Sequence, residues 1–253
     1  PNHHQGLAVA IGLSIIVLIL ISYGLTSWYS RYAPRRVQRG LGALIGPLMR
    51  IFSLHTRSRQ RYPSSEIAPY FIVNGRPPDT PEYEQLQGDG FEEWRLEVYG
   101  LVAHPRSFSL AEVRALPKQT QTTVHHCIQG WSGIAEWGGP PLSAILEQCQ
   151  PLPTARYMIF HSYQNDTSGR PFYEALDIRL ALHPQTMLAY EMNDAPLTVP
   201  HGAPLRLRVE TLLGFKMAKW LCAIEFVADY RDIRDGQGGS REDNMYYEQS
   251  VSI

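Results

Sequence analysis

One cysteine in this chain stands where chemistry could be done. Cys127 lies in the run TTVHHCIQGWSG, beside His125, His126 and Gln129, where strand-like alternation gives way to a glycine-containing polar turn. Imidazoles and backbone N–H groups stabilise a thiolate, and such a sulfur is a metal ligand or a nucleophile. The competing reading of these residues alone is a buried structural thiol. Cys149 and Cys222 fall in the apolar patterns PLSAILEQC and WLCAIEF and read as small core residues. Three cysteines with no CxxC pair point to neither a zinc site nor a disulfide framework. The adjacent His3 and His4 read as inert.

The elements that must position Cys127 are short. WRLEVYGL, QTTVHHCI, ARYMIFHSY, TMLAYEM, LRLRVE and WLCAIEFVA are strand-like by alternation and by their β-branched and aromatic content. SLAEVRAL opens with Ser109 and places Glu112 three residues on, the pattern of a capping box, and PLSAILEQC is a second short helix. Residues 62–90, with YPSSEIAPYF, GRPPDTP and GDG, read as an irregular strap leading into the domain. The fold class expected is α+β, strand-rich with short helices.

The chain has 253 residues, a net charge of −1 and 44% hydrophobic residues, which excludes a collagen, a disordered tail and a polytopic transporter. Residues 1–65 carry eight arginines and no acid, so the remainder sets all 24 acids against 15 basic residues and is −9. Leu7 to Tyr29 is an uncharged apolar run that would span about 33 Å as a helix, enough for a bilayer core of about 30 Å. Trp28, Tyr29 and Tyr32 would sit at the interface, with Arg31, Arg35, Arg36 and Arg39 directly after. The positive-inside rule then puts the N-terminus outside and the following domain in the cytoplasm of a single-pass inner-membrane protein. A cleaved signal would carry its basic residues before the apolar run. Residues 41–54 suit a segment lying along the membrane surface or a plain amphipathic linker. The divisions expected are a transmembrane anchor at 1–30, a basic membrane-proximal linker at 31–69, a folded domain at 70–228 and a polar tail at 229–253. Nucleic acid is excluded as a partner, because the basic cluster hugs the apolar run and the domain is acidic. Membrane lipid is the expected contact of the basic segment.

Several separated runs together resemble a known family. HHCIQGWSGIAEWGGPPLSAIL, followed by LAYEMNDAPLTVPHGAPLRLRVETLLGFKMAKWLCAIEF, is similar to the molybdopterin-binding domain of the sulfite oxidase family, and WRLEVYGLVAHPRSFSLAEVRALP upstream resembles it too. The resemblance covers residues 70–228. The first run is closer to the bacterial catalytic subunit that reduces methionine sulfoxide in proteins, while AYEMN and PHGAPLR resemble sulfite oxidase itself. The resemblance implies a molybdenum–molybdopterin cofactor with Cys127 as thiolate ligand of the metal. It further implies cofactor contacts from Tyr70 and Phe71 in the strap, from Ser162, His201 and Arg206, and from Met217, Ala218 and Lys219. Tyr190 would be the tyrosine beside the metal.

The departures from the family are equally specific. The strap keeps its aromatic pair without the family's Asn, His126 replaces a basic residue beside the cysteine, and Trp131 replaces an arginine. With a domain charge of −9, these changes point away from an anionic substrate. Residues 229–253 are too few for the immunoglobulin-like dimerisation domain of sulfite oxidase. Relatives of this kind work mostly outside the bacterial membrane, which makes a periplasmic domain the alternative to the cytoplasmic one. Two functions follow: oxygen-atom and electron transfer on a small-molecule substrate, or a cofactor-free accessory subunit that stabilises a larger membrane complex of respiratory or photosynthetic type with other subunits.

Overall fold

The computed structural model describes residues 16–18, 20–25 and 61–244. Contacts divide the chain into two units, residues 1–47 and 48–253. In the first, residues 16–18 and 20–25 are helical. Among the described residues no helix is long and apolar enough to cross a membrane. The expected span from Leu7 to Tyr29 lies largely outside the described residues, as do residues 41–54, His3, His4 and the tail beyond Asn244.

The second unit is built on a five-stranded sheet in the order β2-β1-β11-β5-β6. Its strands are β1 (Arg95–Gly100), β2 (Arg106–Ser109), β5 (Tyr157–Asn165), β6 (Pro171–Asp177) and β11 (Leu221–Val227). Alternation makes β1 a strand: Leu96 and Val98 are buried while Glu97 and Tyr99 face out. β11 is the central strand, pairing in parallel with β1 and antiparallel with β5. A second sheet joins β3 (Gln119–His126), β4 (Ser132–Gly139), β8 (Glu191–Met192) and β9 (Ala195–Pro196). A third pairs β7 (Thr186–Ala189) with β10 (Arg206–Val209). The main core runs from Trp94, whose indole donates to the Leu221 carbonyl, through Ile145, Phe160 and Leu207 to Phe226.

Helix α1 (Pro81–Gly88) precedes the first sheet, α2 (Leu110–Ala115) follows β2, α3 (Leu142–Cys149) follows β4, α4 (Ile178–Ala181) follows β6, and α5 (Ser240–Asn244) closes the described chain. The expected capping box is present on α2, with Ser109 and Glu112 satisfying each other's backbone N–H groups.

Two expectations are corrected. The strap is not irregular throughout: α1 forms because Thr80 caps the Tyr83 N–H, Pro81 starts the first turn, and Tyr83 and Leu86 bury one face. The polar tail is folded as far as Asn244. Ser240, Glu242 and Asp243 are buried, and Lys216 Nζ reaches Glu174 at 2.6 Å and Glu242 at 2.5 Å in the interior.

Candidate functional site

The turn that carries Cys127 is the tip of the β3–β4 hairpin, in register from Gln119↔Gly139 to His126↔Ser132. The Cys127 N–H donates to the Trp131 carbonyl at 3.0 Å, and the Gly130 N–H to the Cys127 carbonyl at 3.0 Å. Gly130 takes a φ of 86°, which glycine adopts freely. The thiol is buried, and the side-chain amide of Asn74 donates to Sγ at 3.1 Å. Sequence reasoning found no Asn in the strap; the structure supplies one three residues past Phe71, and the Asn-Gly pair at 74–75 was the available signal.

Around this turn lies a cavity of about 590 Å³, walled by the strap, the hairpin tip, the Pro200–His201 turn, the Gly214–Lys219 stretch and α5. Phe71 anchors one wall, its ring centroid 5.6 Å from His125, 5.7 Å from Trp131 and 5.9 Å from His201. Cys127 itself is screened, while its neighbours His125, Ile128, Gln129 and Asn74 line the space.

The electrostatics are set by β10. Period-two alternation puts Arg206 and Arg208 on one face, where their guanidinium groups lie 4.7 Å and 4.1 Å over Trp137. Arg208 forms a two-bond pair with Glu210, at 2.9 and 2.8 Å, and donates to His125 Nδ1 at 3.0 Å. An arginine only donates, so His125 accepts at Nδ1 and is neutral, with its proton on Nε2. Burial, reinforced by Arg208 and Arg206, holds the His125 pKa down to about 2. Burial and then Arg206 lower His201 to about 4 and Lys219 to about 6.

Arg206 has only its bond to the His201 carbonyl, at 2.9 Å; its buried Nε has no partner. Burial and then Arg208 press its pKa well below the usual arginine range. A buried guanidinium that lines a cavity and has no carboxylate of its own among the described residues is a group suited to an anion. A soft sulfur ligand and an anion cradle are what a phosphate-bearing molybdopterin needs, and the residues present fit it. The domain's net negative charge does not describe this cavity, which Arg76, Arg206 and Arg241 line together with Asp79 and Asp166.

The expected site residues separate into two groups. Phe71, His201, Arg206, Met217, Ala218 and Lys219 line the cavity, with Cys127 behind Asn74. Ser162 supports from beneath: its hydroxyl donates to the Lys219 carbonyl at 2.7 Å. Tyr70 is 72% exposed and does not line the cavity. Tyr190 is buried in the main core with Arg114 5.7 Å over its ring, and the fold does not bring it to the cavity. It lies between β7 and β8 and is used for packing. Arg208 and Glu210 were missed; the charged residues at every second position of an apolar strand were the signal.

The family described as oxidoreductase molybdopterin binding domain matches residues 83–233. This chain belongs to that family. YedZ1 of Azospira oryzae, provisionally named a protein-methionine-sulfoxide reductase subunit, is 34% identical over 185 residues, 73% of this chain and 64% of its own length. The uncharacterized oxidoreductase YuiH of Bacillus subtilis is 37% identical over 60% of this chain and 71% of its own. The protein-methionine-sulfoxide reductase catalytic subunit MsrP of Xanthomonas campestris is 33% identical over 53% of this chain and 45% of its own. The chain thus spans less than two thirds of the first and third of these relatives. Among solved structures, the sulfane dehydrogenase SoxCD of Paracoccus pantotrophus aligns with a TM-score of 0.48 at 23% identity, over 55% of this chain and 39% of its own. The family match agrees with the sulfite-oxidase-type resemblance and its strand-rich architecture.

Proposed function

We propose that this molybdopterin-binding oxidoreductase domain carries out oxygen-atom transfer on a small, uncharged substrate group, of the sulfoxide kind that the relatives' names specify. The observation that carries the reading is the buried Arg206, with no carboxylate of its own among the described residues, lining the cavity beside the Cys127 turn. In this reading the bound cofactor supplies two-electron redox chemistry at a metal held by Cys127. Reduction of a sulfoxide would consume two electrons and two protons and release a thioether and water.

The chain's own residues prepare the site. Asn74 holds the Cys127 sulfur in place by donating a hydrogen bond to it. Arg206 binds the cofactor's anionic end, and its partner Arg208 is neutralised by Glu210 so that the two cations coexist. Trp131, at the place of an arginine in the family, gives the mouth an aromatic wall that suits a sulfur-bearing group better than an oxyanion. The relatives' names favour this oxidoreductase over a cofactor-free accessory subunit.

The domain is proposed to be held at the inner membrane by residues 7–29, on the cytoplasmic side, with electrons exchanged with a membrane partner. Reporter fusions after residue 253 decide the side: an export-dependent reporter that is active there overturns the cytoplasmic placement. The decisive experiment for function is metal and pterin analysis of protein purified from a cofactor-competent host. Near-stoichiometric molybdenum in the wild type, lost in Cys127→Ser, is expected; a metal-free wild type overturns the reading.

A further inference from the structure

Lys219 is held along its whole length by groups that have nothing to do with an anion. Its carbonyl accepts from Ser162, and its stem passes Gly202, where a Cβ would lie 3.0 Å from Lys219 Cβ and Cγ. Its Nζ donates to the Asn74 carbonyl and, at 2.8 Å, to the Pro200 carbonyl, and lies 4.1 Å over the Trp220 ring. That ring is itself fixed by its N–H on the Val199 carbonyl at 2.7 Å. An ammonium has three N–H groups and an amine two, so both carbonyls are served in either protonation state, and the ammonium's third proton meets the aromatic face.

The Asn74 carbonyl that Lys219 grips belongs to the same residue whose side-chain amide covers the Cys127 sulfur. Gly75, at a φ of +80°, turns the strap away immediately afterwards, and a Cβ there would lie 3.8 Å from Lys219 Nζ. Between Phe71, which is buried, and Asn74 the strap is open, with Ile72 and Val73 each 41% exposed.

We propose that Lys219 is a positioning residue: its amine ties the strap to the Pro200 turn and so sets the Asn74 amide on the Cys127 sulfur, leaving the cofactor's anionic end to Arg206. The importance of the tie rests on the proposed role of Cys127, but its existence does not, so it is tested on metal-free protein.

The readout is the rate of Cys127 alkylation by iodoacetamide, followed by peptide mass spectrometry to separate it from Cys149 and Cys222, together with hydrogen exchange of residues 70–76. Lys219→Met and Asn74→Ala should each speed Cys127 alkylation by about tenfold, as expected when a local cover opens without global unfolding. Lys219→Met should also raise strap exchange. In the double variant the rate should equal that of Asn74→Ala alone, because the lysine acts through the asparagine. The proposal is overturned if Lys219→Met leaves alkylation and strap exchange unchanged, or if its effect on alkylation is undiminished in the Asn74→Ala background. Should Lys219→Met unfold the domain, seen as exchange across the central sheet, Lys219→Ala replaces it; it has no donor for either carbonyl and leaves no apolar stem in the site, and the same outcomes apply. A wild type without molybdenum would sink the functional reading while leaving this measurement intact.

Discussion

Arg206 and Arg208 sit two residues apart on one strand, against one indole, and are expected to fail differently. Arg208→Met strands the fully buried Glu210 without its two-bond partner and should cost about 3–5 kcal/mol in urea unfolding, the usual penalty for an unpaired buried charge. Arg206→Met removes a cation that has no carboxylate of its own, so stability should change far less while the pterin recovered with the purified protein falls sharply. His201 gives a pH signature. Its folded-state pKa, about 4, is below its ordinary 6.5, so the unfolded chain takes up a proton first. That contribution to stability is complete above about pH 6.5 and is lost as pH falls toward 4. Between pH 7.5 and 5, His201→Gln should lose about 1 kcal/mol less than the wild type, allowing for screening of a half-exposed ring. At this scale the sequence showed Cys127, His201 and Arg206 because each stands in a short, dense motif. Asn74 was hidden because its partner is 53 positions away and only the strap's return path brings them together. Tyr190, between β7 and β8, packs into the main core, a placement that a motif match does not reveal.

Helix α5 is the element with the most at stake for its length. Its Glu242 shares Lys216 with Glu174, three buried side chains carrying two carboxyls for one amine, and one oxygen of each carboxyl has no partner. Burial and then Glu242 raise the Glu174 pKa well above the carboxylate range, and burial raises Glu242 as well. Lys216→Met should therefore cost at least about 3 kcal/mol, whereas Glu242→Gln, which removes the surplus acid, should cost under about 1 kcal/mol; chemical unfolding of the two variants compares them directly. Thr80→Ala removes the cap of α1 and should cost about 1 kcal/mol in the same assay. Helix α2 was legible because a capping box is local. Helix α1 was masked by Pro77, Pro78 and Pro81 at its start and Gly88 and Gly90 at its end, and α5 by its polar composition, since its burial comes from Tyr173, Lys216 and Asp166 far upstream. Strands β8 and β9 hold two residues each and exist through pairing, a property of the edge they join and not of their own sequence.

Across the whole molecule, summed charge was a poor guide to local field. The acidic total of residues 66–253 is spread over the domain, while the cavity is lined by Arg76, Arg206 and Arg241 with Asp79 and Asp166. An inhibitor scan should show this: inorganic phosphate is expected to protect metal-free protein against heat, and Arg206→Met should abolish the protection. The sheet order carries a different consequence. Among the described strands, the one at the centre of the main sheet, β11, comes last in the sequence, and α5, a wall of the cavity, comes later still. β1 with β2 and β5 with β6 are antiparallel pairs that β11 joins. The main sheet therefore cannot be completed before β11 is made, and its pairing of Glu97 with Ala223 is a long-range contact of the kind that forms slowly. For a domain of the molybdopterin-binding family, lateness is useful: a cavity walled by α5 stays open until that helix is in place, so a ligand can be enclosed by that step instead of having to force its way in.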